Sequence, residues 1–237
     1  MKSKLSTNPA NVTKFLLGLT LLLVVINILI QFLIYDFGLD KEWFLLFNMD
    51  KELNLPTLFS CILLLVCAAL ISLVRKKLIT TNNSIANKWK ALKLVFIFLA
   101  LDEALQIHEL FIIPSLKPNL PAILTIVWVI PYGLLTFFAM IYFLPLILSL
   151  PARIKYLILS SGLIYLSGAL GLEMIGSYLV RTGDIRLHGI SYGLISTLEE
   201  TLEILGLIMF AQALMILVFN YQNQKLKINL RLSRVQD

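Results

Sequence analysis

The stretch FLLGLTLLLVVINILIQFLIY (15–35) contains no charged residue, and it decides the class of the fold. A transmembrane helix needs about 20 consecutive, mostly apolar residues to cross the hydrocarbon layer of a bilayer, and this stretch is long enough. The basic segment before it resembles the start of a signal sequence, but no small-x-small cleavage site follows the apolar run. We therefore expect a first transmembrane helix that is retained.

The composition extends this interpretation to the whole chain. Of its 237 residues, 59% are hydrophobic and 14% are charged, and the mean hydropathy is +0.87. These values lie far outside the range of soluble globular domains. The net charge of +6 does not indicate a nucleic-acid partner, because the basic residues are spread over short loops and tails and form no patch. The composition predicts an all-α, polytopic protein whose main partner is the lipid bilayer.

Six apolar segments are long enough to span a bilayer, and they leave no room for a soluble domain. They cover about 15–35, 55–74, 93–114, 122–148, 155–180 and 190–220. Outside the cores of these segments, fifteen Lys and Arg residues lie on the side of the two termini and five lie on the other side. By the positive-inside rule, both termini are cytoplasmic. The sequence thus predicts one six-helix transmembrane domain over residues 1–237.

The longest segment on the predicted outer side covers 36–54 and mixes charges with an apolar patch at 43–47. This pattern favours a short helix on the membrane surface. The segment is either a lid or lateral gate above a site, or a connection that packs on the bundle. Trp43 and Trp89 lie near predicted interfaces, where amphipathic rings prefer to be.

The fifth predicted helix has an unusual texture, SSGLIYLSGALGLEMIGSY (160–178), with small residues along its whole length. Small residues let helix backbones approach closely inside a membrane. We expect this helix to be central and tightly packed around Glu173. Cys61 and Cys67 stand six residues apart in the second helix, too far for a disulfide.

Acidic residues within the spans are the most informative feature of the sequence. Seven of the fourteen acids lie there, whereas no Lys or Arg lies inside beyond Lys93 and Lys155, which are the first residues of their segments; the acids are Asp102, Glu103, Glu109, Glu173, Glu199, Glu200 and Glu203. A charged group at the centre of a helix costs about 2.5–3.5 kcal/mol on insertion scales. The acids must therefore be protonated, hydrogen-bonded to each other, or bound to a cation.

Helical periodicity predicts that these acids converge in the outer half of the bilayer. At 100° per residue, Asp102, Gln106 and Glu109 share one face of the third helix, and Ser196, Glu199, Glu203 and Gly206 share one face of the sixth. The two faces can meet over Glu173. His188 lies above them, at the outer mouth of the sixth helix.

Carboxylates with one or two imidazoles are ligands that suit a divalent ion such as Fe, Mn or Zn. The candidate ligands are Asp102, His108, Glu109, Glu173, Glu199 and Glu203. Glu103 and Glu200 are turned 100° from their neighbours and are candidates for catalytic proton shuttles. The chain has no Glu-x-x-His pair of the kind that four-helix di-iron sites use, so the pattern indicates a cation site without specifying di-iron.

Three strings together resemble those of a family of small bacterial multi-pass proteins of uncharacterised function: NMDKELNLPTLFS (48–60), LDEALQIHE (101–109) and LEETLEILG (198–206). The resemblance covers most of the chain. It implies a prokaryotic plasma membrane and a shared role for the acidic strings, but no activity. The motifs of intramembrane proteases, dinucleotide sites and P-loops are absent from the sequence.

Three functions fit these residues. The first is a metal-dependent enzyme that acts on a lipid or another small apolar substrate from the outer leaflet. The second is a proton- or cation-coupled transporter in which the same acids are the relay, with His188 at the external entrance. The third is a structural or accessory membrane subunit. The sequence does not choose an oligomeric state.

Overall fold

The computed structural model describes residues 8–49, 51, 53–78, 83–111, 120–124 and 126–233, with the backbone alone at 77, 78, 83, 111 and 220–233. Within these residues the chain is helical and has no β-strand, which confirms the all-α prediction. The α-helices are α1 (Pro9–Tyr35), α2 (Leu55–Leu78), α3 (Asn83–Leu105), α4 (Val129–Leu148), α5 (Ala152–Leu166), α6 (Glu173–Thr182) and α7 (Ile190–Ser233). A π-helical turn, Ser167–Leu172, joins α5 to α6, and short 3-10 helices cover Lys41–Phe44, Ile107–Phe111 and Ala122–Leu124.

Five helical segments are long and apolar enough to cross a membrane, so the chain is a multi-pass membrane protein. They are Pro9–Tyr35, Leu55–Lys76, Val129–Leu148, Ala152–Thr182 and Ile190–Phe219. Each matches one of the six spans predicted from the sequence. The third predicted span, 93–114, has no counterpart among them, because α3 carries Lys88, Lys90 and Lys93 as well as Asp102 and Glu103.

The third predicted span is also wrong in its continuity. The α-helix ends at Leu105, and Gln106 adopts a left-handed backbone conformation with φ of 54°. A 3-10 helix follows at Ile107–Phe111, and most of the predicted remainder lies outside the described residues. A non-glycine residue in the left-handed region interrupts the helical hydrogen-bond pattern. The periodicity that predicted a shared face for Asp102 and Glu109 therefore does not hold across Gln106.

Other boundaries also differ from the prediction. The fourth span starts at Val129 instead of 122, after the short 3-10 helix Ala122–Leu124. The fifth is interrupted by the π-helical turn immediately before Glu173. It ends at Gly183, which has a φ of 84°, a left-handed conformation that glycine adopts without strain because it lacks a Cβ. The last helix continues beyond 220 to Ser233.

The helix at the centre is α7 and not the small-residue segment α5. It packs against α1, α2, α5, α6 and the π-helical turn, and its residues Ile204, Ile208 and Leu214 are fully buried. Gly206 allows the close contact with α5, because a Cβ there would lie 2.8 Å from the Ser161 carbonyl oxygen and from the Tyr165 backbone nitrogen. The expectation of tight packing around α5 holds at this crossing, but the expectation of a central position does not.

The 36–54 segment is tied to the bundle by amide side chains. The Asn27 side chain accepts a hydrogen bond from the Met49 backbone N–H (2.9 Å) and donates one to the Thr197 hydroxyl (2.6 Å). Gln31 donates to the Asn48 side chain (2.9 Å). Within 43–47, Trp43, Leu45 and Leu46 are exposed, Trp43 by 86%. The segment thus packs on α1 and α7 near Asn48 and Met49, whereas these apolar side chains in its middle stay exposed within the described residues.

Candidate functional site

One cavity of about 1340 Å³ lies between α3, α4, the α5–α6 segment and α7. Each of these elements contributes polar side chains to its lining. The lining includes all eight residues that the sequence singled out as ligands or shuttles: Asp102, Glu103, His108, Glu109, Glu173, Glu199, Glu200 and Glu203. The structure therefore brings the acidic strings of α3 and α7 to one space, together with Glu173. His188 is exposed and is not part of this lining.

Asp102 holds the break at the end of α3. It is 6% exposed, and its Oδ1 accepts hydrogen bonds from the His108 backbone N–H and from the Tyr132 hydroxyl, both at 2.8 Å. The His108 ring also lies against it, with Nδ1 3.5 Å from the same oxygen. These contacts stabilise the turn that Gln106 begins, since the carboxylate accepts from a backbone N–H at the start of the 3-10 helix, where N–H groups lack a partner within the helix. Asp102 consequently has a structural role besides any role in binding.

Glu109 differs from Asp102 in its surroundings. The sequence predicted that both would point from one helical face, but the break separates them: Asp102 is buried and Glu109 is exposed. The 3-10 turn still leaves Glu109 at the cavity, near enough to Glu173 for an electrostatic interaction. Glu109 therefore lies at the rim of the cavity instead of forming its inner wall.

Glu173 and Glu199 form the central pair of the site. Their carboxyl groups lie close enough for a hydrogen bond across the space between the start of α6 and α7. A hydrogen bond between two carboxyl groups needs a proton on one of them, because an ionised carboxylate only accepts. Such a pair can share one proton, and it lies next to the π-helical turn, a distortion that is frequent at functional sites.

A second group of acids surrounds Tyr165 of α5. Its hydroxyl is hydrogen-bonded to Glu203, and Glu103 and Glu200 are close enough to interact with it electrostatically. The face predicted for α7 is present, since the helix is continuous there and Ser196, Glu199, Glu203 and Gly206 all line the cavity. Gly168 permits this arrangement, because a Cβ at that position would lie 2.6 Å from the Glu199 carbonyl oxygen.

The predicted ligands do not form a ready-made metal site. Within the part of the chain that the structure describes, no three His, Cys, Asp or Glu side chains form a group that could hold an ion. The acids are instead engaged in pairs: Asp102 with Tyr132 and His108, Glu173 with Glu199, and Glu203 with Tyr165. Side-chain rotation would be needed before three of them could meet at one cation.

Aromatic side chains at the cavity are the feature that sequence reasoning missed. Trp128 lies 5.1 Å from the His108 ring and 5.2 Å from the Tyr132 ring, measured between centroids. All three rings line the cavity beside Asp102. Trp89, which the sequence assigned to an interface, is 2% exposed and lines the same cavity. The spacing of Trp128 and Tyr132, four residues apart at the start of α4, was the available signal.

Lys51 is a further lining residue that the sequence placed outside the bundle. It is the one Lys or Arg in the described lining, against seven carboxyl groups. Arg181 is not in this lining, and its guanidinium donates to the Pro121 carbonyl oxygen at 3.5 Å. The charge of the cavity wall is therefore dominated by acids.

The cavity continues well past the acids along α4. Its lining includes Trp128 just before α4 and Leu150 just after it, so it extends along a helix of 20 residues, about 30 Å. The part toward Leu150 is lined by apolar residues such as Phe143, Leu146 and Phe210. Between its ends α4 is largely exposed, and Lys88 of α3 binds it near the far end through the Tyr142 carbonyl oxygen (2.7 Å). The site is thus a long apolar cavity with an acidic, aromatic end.

Comparison with known families assigns the chain. The model of the family described as domain of unknown function DUF8692 matches residues 16–218, and the protein belongs to this family. The match covers every residue that lines the cavity. No curated protein and no solved structure gives a significant match.

Proposed function

We propose that this member of the DUF8692 family is a proton- or cation-coupled membrane transporter. In this proposal the acids bind protons or a cation, and the cavity along α4 binds a cargo with an apolar body. One observation carries the proposal: the same cavity contains the carboxyl cluster at one end of α4 and an apolar lining at the other. A cavity that follows a membrane helix for its whole length gives an apolar cargo a way past the acids.

The Glu173–Glu199 pair supports the coupling part of the proposal. Two carboxyl groups that share one proton can release it when a cation arrives, since the positive charge replaces the proton between them. Ionisable residues that face a cavity inside a membrane bundle commonly mark ion or proton pathways. Tyr165 and Glu203 extend the polar contacts from this pair toward Glu103 and Glu200.

The proposal includes a topology with six spans and both termini in the cytoplasm of a prokaryotic cell, in its plasma membrane. The span added to the five apolar helical segments is α3. Its 23 residues are long enough to cross a bilayer, and its lysines lie in its first half. The distribution of fifteen basic residues against five supports this orientation. The acidic end of the cavity then faces the outer leaflet, with the 36–54 segment on the same side.

A second function is favoured by one further contact. His108 Nδ1 lies 3.5 Å from Asp102, and Glu109 and Glu173 line the same cavity, so side-chain rotation would bring an imidazole and carboxylates to a divalent Fe, Mn or Zn ion. In that case the protein is a metal-dependent enzyme for a lipid or small apolar substrate. Glu103 or Glu200 would move protons beside the ion, and the ion would act as a Lewis acid or a water activator.

Two measurements on one preparation test the transporter against the enzyme. The full-length protein is reconstituted in liposomes that contain a pH-sensitive dye, and a potassium diffusion potential drives protons inward. We expect flux from the wild type, loss of flux in Glu173→Gln and Glu199→Gln, and unchanged flux in Glu42→Gln, whose exposed side chain lies outside the cavity. The metal content of the same samples is measured in parallel.

Each result has a defined meaning. Flux that the two cavity variants abolish supports the transporter. Stoichiometric Fe, Mn or Zn in the wild type that is lost in Glu199→Gln, without any flux, overturns the transporter in favour of the enzyme. If the variants stay folded and neither flux nor metal is found in any sample, the acids serve only to hold helices together.

A further inference from the structure

The acidic end of the cavity also indicates what kind of molecule it binds. We propose that the cargo is an organic cation with an apolar body, such as a substituted ammonium or phosphonium ion. The inference deepens the proposed function and rests on it for transport, but the binding itself can be measured separately. It depends on three independent properties of the cavity: its charge, its aromatic rings and its apolar volume.

The charge of the lining selects against anions. Seven carboxyl groups and one lysine line the described part of the cavity. Even where carboxyl groups share protons, their oxygens remain acceptors of hydrogen bonds and centres of negative potential. An anionic cargo would meet these groups without compensation, whereas a cation would relieve their mutual repulsion.

Three aromatic rings stand beside the acids at the mouth of the cavity. Trp128, Tyr132 and His108 contact each other with centroids 5.1–6.5 Å apart, and their planes are inclined by 54–85°. Rings at such angles pack edge to face or tilted against each other instead of stacking in parallel. We call this group of three rings the aromatic box. The faces of Trp and Tyr attract organic cations, and aromatic boxes are a known way to recognise substituted ammonium groups.

The Tyr132 hydroxyl connects this aromatic box to the acids. It donates a 2.8 Å hydrogen bond to Asp102, which fixes the orientation of the ring. The same carboxylate holds His108 through its backbone N–H. Asp102 thus positions two of the three rings, and the box exists before any ligand arrives.

The rest of the cavity suits the apolar body of such a cation. A volume of about 1340 Å³ is larger than most small-molecule sites, which measure roughly 300–1,000 Å³. Beyond the acids the walls are Phe143, Leu146, Ile158 and Phe210, which offer no polar partner to a ligand. A small inorganic cation would leave this volume unused, so the shape favours a bulky ligand.

Two kinds of molecule combine a positive charge with an apolar body in this way. One is a soluble lipophilic cation, and the other is a lipid whose headgroup ends in an ammonium group. Both place a positive charge in the aromatic box and apolar groups along α4. The experiment therefore includes lipids with and without such a headgroup.

A pair of ions of nearly the same size and shape tests the inference. Tetraphenylphosphonium and tetraphenylborate differ in the sign of their charge, and their binding to the full-length protein is measured in nanodiscs of phosphatidylglycerol, with empty nanodiscs as the blank. We expect saturable, protein-dependent binding of the phosphonium ion only. Equal binding of both ions, or binding of neither, overturns the inference.

Substitutions assign the binding to the aromatic box. Trp128→Leu keeps an apolar side chain but removes the ring, and we expect it to weaken phosphonium binding about 3- to 30-fold, the size of a cation–π contribution. Trp43→Leu is the matched control, because that ring is exposed and lies outside the cavity. If Trp128→Leu lowers stability, Trp128→Phe provides an intermediate ring. Affinity that is unchanged in both Trp128 variants contradicts the assignment.

The lipid arm identifies the source of the ligand. Nanodiscs with phosphatidylethanolamine or phosphatidylcholine are compared with those of phosphatidylglycerol alone. Competition by the ammonium headgroups supports a lipid as the natural ligand, and undiminished phosphonium binding supports a soluble cation. Phosphonium binding without proton flux in liposomes contradicts the transporter alone, and flux without phosphonium binding contradicts this inference alone.

Discussion

Two polar regions lie within the same helical bundle, and they are built differently. The first is the amide network, which we define as Asn27, Gln31, Asn48 and Thr197; its four side chains are at most 3% exposed and are hydrogen-bonded to each other or to nearby backbone. The second is the carboxyl cluster of the cavity, whose members are mostly half-buried. The first region uses neutral amides and hydroxyls, and the second uses ionisable groups.

The difference indicates how a polar group inside a membrane protein can be assigned. Neutral side chains that are buried and bonded to one another hold helices and connections together. Ionisable side chains that border an open cavity keep access to protons and ligands. The contrast predicts that substitutions in the amide network change stability, whereas substitutions in the carboxyl cluster change function.

The largest loss of stability is expected for Asn27→Ala. The Asn27 side chain is fully buried and bonds both the Met49 backbone N–H and the Thr197 hydroxyl. Its removal leaves the buried Met49 N–H without this acceptor and removes the donor to Thr197, whose hydroxyl keeps its bond to the Gly193 carbonyl oxygen. We expect a cost of about 2–3 kcal/mol in the free energy of unfolding. Unfolding by sodium dodecyl sulfate measures this value, and Asn11→Ala, on the exposed side of α1, is the control. If Asn27→Ala lowers the free energy of unfolding by less than Asn11→Ala does, the amide network does not have the structural role assigned to it.

Gly206→Ala is expected to cost about 2 kcal/mol, because its Cβ would meet atoms that cannot move independently. Those atoms are the Ser161 carbonyl oxygen and the Tyr165 backbone nitrogen and Cβ, each at 2.8 Å. Gly162→Ala, with nothing within 4 Å, is the matched control. There the higher helix propensity of alanine should leave stability unchanged or raise it by up to about 1 kcal/mol. Equal effects of the two substitutions would argue against a close α5–α7 crossing.

Tyr132→Phe separates the hydrogen bond of the Tyr132 hydroxyl from the contribution of its ring to the aromatic box. It removes the hydroxyl that binds Asp102 and keeps the ring, so we expect a loss of about 1 kcal/mol in the free energy of unfolding. Phosphonium binding should fall far less than in Trp128→Leu. The control is Tyr156→Phe, whose side chain is 64% exposed. The hydroxyl has no structural role if both variants unfold alike.

The smallest change in stability is expected for Glu199→Gln, within about 1 kcal/mol of the wild type. Glutamine keeps a hydrogen bond to Glu173 without needing a shared proton, so the helices stay connected. The same variant should lose proton flux. A stable, fully active Glu199→Gln protein would assign the carboxyl cluster to the same structural class as the amide network.

The sequence predicted the helical class, five of the spans and the convergence of the acids, because hydropathy and buried charge are properties of local composition. It did not predict the break at Gln106, since a left-handed glutamine has no sequence signature and the Asp102 carboxylate that holds the turn is itself bound by Tyr132 of α4, 30 residues away. The amide network was missed for a similar reason. Asn27 and Gln31 interrupt an apolar run only slightly, and their partners lie 17–170 residues away in the chain.

The central position of α7 was also beyond the sequence. The small residues of α5 predicted close packing, and Gly206 on the partner helix permits it, but a Cβ at Gly162 of α5 would meet no atom of another element within 4 Å. Small residues show that a neighbouring helix is able to pack close to a backbone. The arrangement of all the helices decides whether one does. The aromatic box was missed because Trp and Tyr near a span end are common at membrane interfaces.

The most direct test of the account is an infrared difference spectrum of the full-length protein, recorded as tetraphenylphosphonium is added at neutral pH. If the Glu173–Glu199 pair holds an exchangeable proton, the band of a protonated carboxylic acid decreases in the wild type and in Glu42→Gln, and this decrease is missing in Glu199→Gln. A phosphonium ion that binds without any change in the carboxylic acid band would contradict the claim that these acids couple proton and cation binding.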